Sequence, residues 1–179
     1  MARSLLAGIC VLGLVAAAQA TIIESEPNNT IPTANPIVVG AKPWADVGVM
    51  SLGGAGGDVD FFAITLVKND VLTVVTTPLQ PMFTKPDTLL ALFDAANVQL
   101  VLDDNSANNG SSTGSTIMFS APADGTYYLG VTGAADLAFT GGHTETGLYI
   151  LTASVVPIPE PATAMLLATG MSALAWRRR

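Results

Sequence analysis

The chain has 179 residues and a formal net charge of -7, from 14 acidic residues, 7 basic residues and one neutral histidine. This length predicts a single domain, and a folded part of about 130 residues, once targeting signals are excluded, is large enough for a core without disulfides. The acidic balance disfavours nucleic acid and anionic lipid as partners, because phosphate groups are bound by basic patches. It is compatible with cations, and equally with a surface charge that only maintains solubility.

Residues 1–20 are predicted to be a secretory signal peptide. A basic start precedes an apolar stretch at residues 5–15, and Ala18 and Ala20 form the small-x-small pattern of a cleavage site after Ala20. A membrane anchor is the alternative, but the apolar stretch is too short to span a bilayer well. The only cysteine, Cys10, lies in this segment. A cleaved chain would therefore have no disulfide, no thiolate metal site and no cysteine nucleophile.

The next residues carry a high density of oxygen-bearing side chains. Alternation along an extended chain puts Glu24 and Glu26 on one side, Pro27 interrupts strand pairing, and Asn28 and Asn29 follow directly. Hard oxygen ligands are what calcium requires. A solvated leader with a turn is the alternative interpretation, because proline and asparagine favour turns.

A glycine-rich stretch at residues 53–57 leads into a strand whose first residues are acidic. Asp58 and Asp60 mark its beginning, and side chains alternate between the two faces from there. One face carries a run of large apolar residues after Asp60, which predicts a core strand. These inward positions are Asp60, Phe62, Ile64 and Leu66.

The remaining chain reads as short segments rich in β-branched and aromatic residues, separated by turn signals. The predicted strands are residues 47–52, 60–67, 71–77, 88–94, 98–102, 115–120, 126–132 and 148–154. No amphipathic helix is predicted between residues 21 and 155. Seven or eight short strands predict an all-β fold, either a sandwich or a barrel.

Several stretches, in this order, resemble the bacterial pre-peptidase C-terminal (PPC) domain family. They are residues 23–29, 58–62, 90–94, 125–129 and 147–151. The resemblance implies a jelly-roll-like β-sandwich over residues 21–155. Members of the family are usually attached to secreted peptidases and hydrolases as accessory or binding modules.

The same resemblance implies a metal site. Some relatives, including collagen-binding modules, hold calcium between the acidic opening segment and the start of the Asp-x-Asp strand. Carried over to this sequence, the implied ligands are Glu24, Glu26, Asn28, Asn29 and Asp60, with Asp58 as a further candidate. Calcium is the only cofactor that the sequence suggests.

Residues 156–179 form a second targeting signal. Pro159, Glu160 and Pro161 precede an apolar segment at residues 162–176, and three arginines end the chain. As a helix the apolar segment would extend about 22 Å at ~1.5 Å per residue, somewhat less than a ~30 Å bilayer core, and its tryptophan and arginines extend its reach. Because positive residues stay cytoplasmic, the sandwich would lie outside.

This C-terminal order closely resembles the PEP-CTERM sorting signal. The resemblance implies an exosortase-type transpeptidase that recognises Pro159, Glu160 and Pro161, a transient inner-membrane anchor, and a final location at the cell surface or in the medium. Proteins of this kind are usually associated with extracellular polysaccharide.

The sequence offers little for catalysis. His143 is the only histidine, and no Gly-x-Ser-x-Gly nucleophile motif occurs. Asp58 and Asp60 could serve as a glycosidase pair, but acids at the mouth of one strand are more typical of a turn or a cation site. We therefore expect a non-catalytic module that binds a matrix or cell-surface polymer. The alternative is a small secreted hydrolase acting on such a polymer.

Overall fold

The computed structural model describes residues 22–53, 57–79, 84–107 and 113–158. The predicted signal peptide with Ala18 and Ala20, the Pro159–Glu160–Pro161 motif and the predicted membrane helix lie outside these ranges. Within these ranges no helix has the length and apolar character needed to cross a membrane.

Nine strands and one short 3-10 helix, Ile31–Thr33, make up the described fold. The all-β prediction is thus confirmed, with one strand more than the upper estimate. In chain order the strands are β1 (Asn35–Ile37), β2 (Trp44–Leu52), β3 (Asp60–Leu66), β4 (Asp70–Pro78), β5 (Thr88–Phe93), β6 (Gln99–Asp104), β7 (Thr116–Ser120), β8 (Gly125–Gly133) and β9 (Gly147–Pro157).

Two sheets form a β-sandwich. One has five strands in the order β1-β3-β8-β5-β6, and the other has four in the order β2-β9-β4-β7. All described pairs are antiparallel except β1 with β3. The unpredicted strand β1 contains Pro36 and lies at a sheet edge, where the missing N–H of a proline is tolerated.

The main core lies between the two sheets and is built from alternate residues of each strand. Phe62, Ile64 and Leu66 of β3 are fully buried, as the alternation predicts. They belong to one apolar cluster with residues of the opposite sheet such as Leu72 and Leu151. Asp60 points to the same side of β3, and therefore ends at the rim of this core with no exposed surface.

A second, smaller apolar cluster covers the outer face of the five-stranded sheet. Phe61, Phe93 and Phe139 form its centre, with the Phe93 and Phe139 rings edge to face at 5.2 Å. Phe139 has a left-handed backbone (φ 53°), which brings its ring over Gly130, where a Cβ atom would lie 2.9 Å from it. The loop that carries Phe139 is thereby fixed against the sheet, close to the start of β3.

Candidate functional site: an acidic cluster at the mouth of β3

Four carboxylates meet at the end of the sandwich where β3 begins. They come from two separate parts of the chain, Glu24 and Glu26 from the segment before β1, and Asp58 and Asp60 from the start of β3. One ligand oxygen from each lies within 4.8 Å of the others. Asp58 and Asp60 are buried, Glu24 is half-buried and Glu26 is exposed, so the cluster opens to solvent on one side.

Backbone contacts dock the leading segment, residues 22–34, beside these acids. The N–H of Phe61 donates to the Asn28 carbonyl at 3.1 Å, which joins the segment to β3. Asn35 fixes the segment from the other side: its amide donates to the Ser25 carbonyl, and its oxygen accepts from Ser25 N–H. These contacts explain why two acids that precede β1 in sequence arrive next to β3.

Asp58 is held by a close approach between two loops. Gly57 has a positive φ of 81°, and a Cβ atom there would meet the Gly141 carbonyl oxygen at 1.4 Å, so only glycine fits. The Asp58 carbonyl oxygen lies 2.7 Å from His143 Nε2. Since a carbonyl only accepts, Nε2 carries the proton, and His143 Nδ1 accepts from the Glu145 N–H. His143 therefore positions the backbone of Asp58.

Each acid of the cluster accepts at least one hydrogen bond that orients it. The N–H of Ser51 donates to Glu24 Oε2 at 2.8 Å and the N–H of Gly53 donates to Asp58 Oδ2 at 3.1 Å. Within the acidic cluster itself, the N–H of Asn28 donates to Glu26 Oε2 at 3.0 Å. For Asp60 the donor is a side chain: the Tyr149 hydroxyl donates to Oδ2 at 2.6 Å.

One oxygen of Glu24 and one oxygen of Asp60 have no hydrogen-bond donor. Glu24 Oε1 and Asp60 Oδ1 are both buried and lack a hydrogen-bond partner in the described structure. Such groups are costly, because they lose water without gaining a replacement. A positive ion between the carboxylates would satisfy both oxygens at once.

Burial and mutual repulsion shift the pKa values of the groups in this cluster. Burial, followed by the neighbouring charge of Glu24, raises the pKa of Asp60 to about 9. Burial also raises the pKa of Glu24, although the hydrogen bond from the Ser51 N–H partly opposes it. Burial and the adjacent Asp60 raise the pKa of Tyr149 as well, so its hydroxyl stays protonated and remains a donor.

The two asparagines differ in their positions. Asn28 is fully buried, and its side-chain amide donates to Asn35 Oδ1 at 3.0 Å, away from the acids. Asn29 lies at the cluster: with its amide nitrogen toward the acids it donates to Asp58 Oδ1 at 3.0 Å and to Glu26 Oε2 at 3.2 Å. The opposite rotamer of the amide would present an oxygen to the same space, as a further cation ligand.

Some residues of the site carried no sequence signal for this role. A tyrosine within a predicted strand, such as Tyr149, is typical of core packing. The backbone N–H groups of Ser51 and Gly53 have no side-chain signature at all. Period-two alternation on the last strand does place Tyr149 inward. Its partner across the sandwich depends on how the sheets face each other.

A groove opens beside the acidic cluster. It has a volume of about 620 Å³, and the leading segment forms one wall with Asn29 and Thr30. The phenylalanine cluster forms the floor, and the rim bears amide and hydroxyl groups with no charged side chain. Asn29 therefore belongs to both the groove and the acidic cluster.

The fold and the site together define a β-sandwich module with an acidic cluster at the mouth of β3. Residues 58–133 match the family model "Bacterial pre-peptidase C-terminal domain", and residues 157–179 match "PEP-CTERM protein-sorting motif". Both resemblances seen in the sequence are thus matched by a family model, in the same order along the chain. The PPC match begins at Asp58, so it includes two acids of the cluster and excludes the leading segment with Glu24 and Glu26.

Solved structures with a similar chain path include PliG, a periplasmic inhibitor of g-type lysozyme from Aeromonas hydrophila, at 14% identity and TM-score 0.48, over 68% of this chain and 95% of that one. The pre-peptidase C-terminal domain of a Bacillus anthracis collagenase matches at 16% identity and TM-score 0.44, over 68% and 93%. PliG from Salmonella Typhimurium matches at 16% identity and TM-score 0.37, over 69% of this chain and 99% of that one. Values this low carry no functional assignment. No curated protein sequence matches significantly.

Proposed function

We propose that the protein is an exported, non-catalytic module that binds calcium at the acidic cluster and associates with extracellular polysaccharide or the cell surface. The observation that carries the calcium part is the pair of buried oxygens, Glu24 Oε1 and Asp60 Oδ1, that face a cluster of carboxylates without a donor. The sorting part is supported by the match of residues 157–179 to the PEP-CTERM motif. An exosortase-type transpeptidase is the partner that this motif implies.

Calcium suits the donor set better than other common cations. The site offers carboxylate oxygens from four residues and a possible amide oxygen from Asn29, and calcium accepts six to eight oxygens with flexible geometry. Magnesium demands stricter geometry and keeps more of its water. Zinc favours histidine and cysteine ligands, and His143 is already engaged with the Asp58 carbonyl and the Glu145 N–H.

Calcium would act on the fold by fixing the leading segment. The segment brings two negative charges against Asp58 and Asp60, and their repulsion opposes its docking. A bound ion converts that repulsion into attraction. Because Asn29 and Thr30 also form a wall of the groove, an ordered segment gives the groove its shape.

The groove is our candidate contact for a neutral polymer. Its apolar floor and its amide and hydroxyl rim match a sugar chain, which has apolar faces and hydrogen-bonding edges. A non-catalytic role agrees with the chemistry of the described residues: the His143 ring bonds to two backbone groups, and no serine or other nucleophile is hydrogen-bonded to it among them.

The calcium proposal is tested by melting and limited proteolysis of the exported protein, with calcium, with magnesium and with chelator. We expect calcium to raise the melting temperature and to protect residues 22–34 from cleavage, and magnesium to do less. Glu26→Gln should abolish the calcium effect. Asp46→Asn is the matched control, because Asp46 lies on β2 and accepts only from its own neighbour Val47. A melting curve unmoved by millimolar calcium would contradict the proposal.

Polymer binding is tested separately, with matrix polysaccharide isolated from the host and calcium held constant. Ala138→Trp should fill the groove, since Ala138 is exposed and lines it, and should weaken binding at least tenfold. Leu137→Trp is the control on the same loop, at an exposed position that does not line the groove. Equal binding by both variants would remove the groove from the proposal.

Sorting is tested by mass spectrometry of the exported chain in a host with the transpeptidase. We expect the mature protein to lack about the last 20 residues, the length of a membrane-spanning segment. A mature chain that still carries Trp176 would contradict exosortase processing.

A further inference from the structure

The outer face of the four-stranded sheet is uncharged throughout. The outward positions of β2, β9, β4 and β7 are occupied only by Ala, Val, Ile, Leu, Met, Ser and Thr. Five large apolar side chains stand exposed there: Val47, Val49, Met118, Leu148 and Val156, with exposed fractions from 38% to 71%. Isolated exposed apolar residues are ordinary, but a contiguous uncharged face is typical of an interaction site.

Strand pairing makes this face continuous. Val47 on β2 pairs with Thr152 on β9, and Thr152 pairs with Val75 on β4. The acidic residues of the same strands, Asp46 and Asp70, fall on the other side of the alternation. The chain has a net charge of -7, so a surface of this extent without an acidic residue differs in composition from the rest of the chain.

We propose that this face is a homodimer interface, formed by the four-stranded sheets of two copies packed face to face. Two molecules of the same negative charge repel wherever their acids approach, and an uncharged face lets them meet without burying a charge. A two-fold axis suits the face because the same patch then serves both copies.

The composition argues against other occupants. No aromatic ring occupies an outward position of the four strands, so the face offers no platform for a sugar. It also has no lysine or arginine to contact the phosphates of a membrane surface.

The area of the face comes close to that buried in a stable dimer. At ~3.4 Å per residue and ~4.8 Å between strands, the four strands span about 550 Å² as a flat sheet. Two such faces cover about 1,100 Å² before the relief of the side chains is added, which approaches the ~1,200–2,000 Å² of stable interfaces. Packed sheets lie ~10 Å apart, so the outward side chains of the central strands β9 and β4 would interdigitate.

The test uses sedimentation velocity of the exported protein at about 1–100 µM, in calcium and in chelator. We expect a dimer in both conditions, because the face is separate from the acidic cluster, so a failure of the calcium proposal leaves this outcome unchanged. Thr152→Arg should weaken association at least tenfold. Thr65→Arg, an exposed threonine on β3 of the other sheet, is the matched control and should remain dimeric.

A crosslinking experiment decides the matter if Thr152→Arg fails to fold. In the full chain with Cys10→Ser, Thr152→Cys should be joined to its own copy by a short bismaleimide, and Thr65→Cys should not. A wild-type monomer at all concentrations, or equal crosslinking at both positions, would overturn the interface. Binding of the monomer to polysaccharide through this face, blocked by Thr152→Arg, would assign the surface to a polymer and equally overturn it.

Discussion

Asp60 and Asp136 are both buried aspartates in the same domain, yet their surroundings shift their pKa values in opposite directions. Asp136 is surrounded by donors: Gly141 N–H at 2.7 Å, the Thr132 hydroxyl at 2.9 Å, and both the N–H and the hydroxyl of Thr140. Burial opposes its ionisation, but these donors outweigh burial and lower the pKa of Asp136. Asp60 has one donor, Tyr149, and three acidic neighbours, and its pKa is raised.

The two acids differ in how far their hydrogen bonds compensate for burial. The carboxylate of Asp136 has hydrogen-bond donors at both oxygens within the fold. These bonds hold the loop of residues 134–141 against the sheet. The carboxylate of Asp60 is only partly hydrogen-bonded, because Oδ1 has no donor, and the neighbouring acids repel its charge. The proposed calcium site gives Asp60 a binding role, whereas Asp136 has a structural role, and each of the following changes tests that distinction.

The largest expected effect on stability follows from neutralising Asp136, the acid with donors at both oxygens. Asp136→Asn leaves several buried donors sharing one acceptor oxygen, and its own amide hydrogens would face the N–H groups of Thr140 and Gly141. Since hydrogen bonds to a charged group contribute about 1.5–3 kcal/mol each, we expect a loss of about 3 kcal/mol in the free energy of unfolding. Urea denaturation measures it. An unchanged midpoint would show that the loop is held mainly by the phenylalanine cluster.

The same substitution at Asp60, which has one unsatisfied oxygen, should have a different result. Asn at position 60 can still accept from Tyr149, and its amide can donate toward Glu24 Oε1, which lacks a donor. We expect Asp60→Asn to leave the calcium-free domain at least as stable as the wild type. It should also remove the calcium stabilisation, which is about 2.7 kcal/mol at a hundredfold excess over Kd. A calcium response that survives Asp60→Asn would place the ion elsewhere.

The pH dependence of the calcium-free domain comes next in size. Because the pKa of Asp60 is about 9 when folded and near 3.8 when unfolded, the folded state holds the extra proton between these values. Stability is then highest at low pH and falls as the pH rises toward the pKa of the folded state. Calcium binds the ionised form, so its stabilising effect should increase over the same range. Denaturation at pH 5, 7 and 9, with calcium and with chelator, measures both trends, and parallel profiles would contradict them.

The smallest expected effect concerns another buried acid, Asp70, whose charge is paired with the lysine side chain of Lys42. Lys42 Nζ forms an ion pair with Asp70 Oδ2, and the N–H of Val67 donates to the same oxygen at 2.7 Å. Lys42→Met removes the ion pair but keeps the N–H donor and most of the apolar stem. We expect a loss of about 1 kcal/mol, partly masked by salt because Lys42 is itself partly exposed. Denaturation of both proteins at low and high salt provides the comparison; a loss as large as that of Asp136→Asn would show that donors and cations are not interchangeable here.

Much of the fold follows from the sequence, because strand alternation is a local property. The inward set of β3, the succession of short strands and the turn between β5 and β6 all depend on neighbouring residues. Strand ends were less well predicted: β9 extends to Pro157 where the pattern suggested residue 154, and β2 begins at Trp44 where it suggested residue 47. At these ends pairing with a partner strand continues the ladder beyond the segment of strong local preference.

The candidate ligands could also be named from the sequence, but their arrangement could not. Acids at residues 24–26 and 58–60 are visible in the chain, and the PPC resemblance relates them to each other. Only the tertiary structure brings them within 4.8 Å, gives Asp60 a tyrosine donor from β9, and turns Asn28 toward Asn35. The uncharged face of the four-stranded sheet is likewise a product of pairing between strands that are distant in the chain. Local periodicity sets which side of a strand each residue takes, whereas contacts between distant strands decide what that side meets.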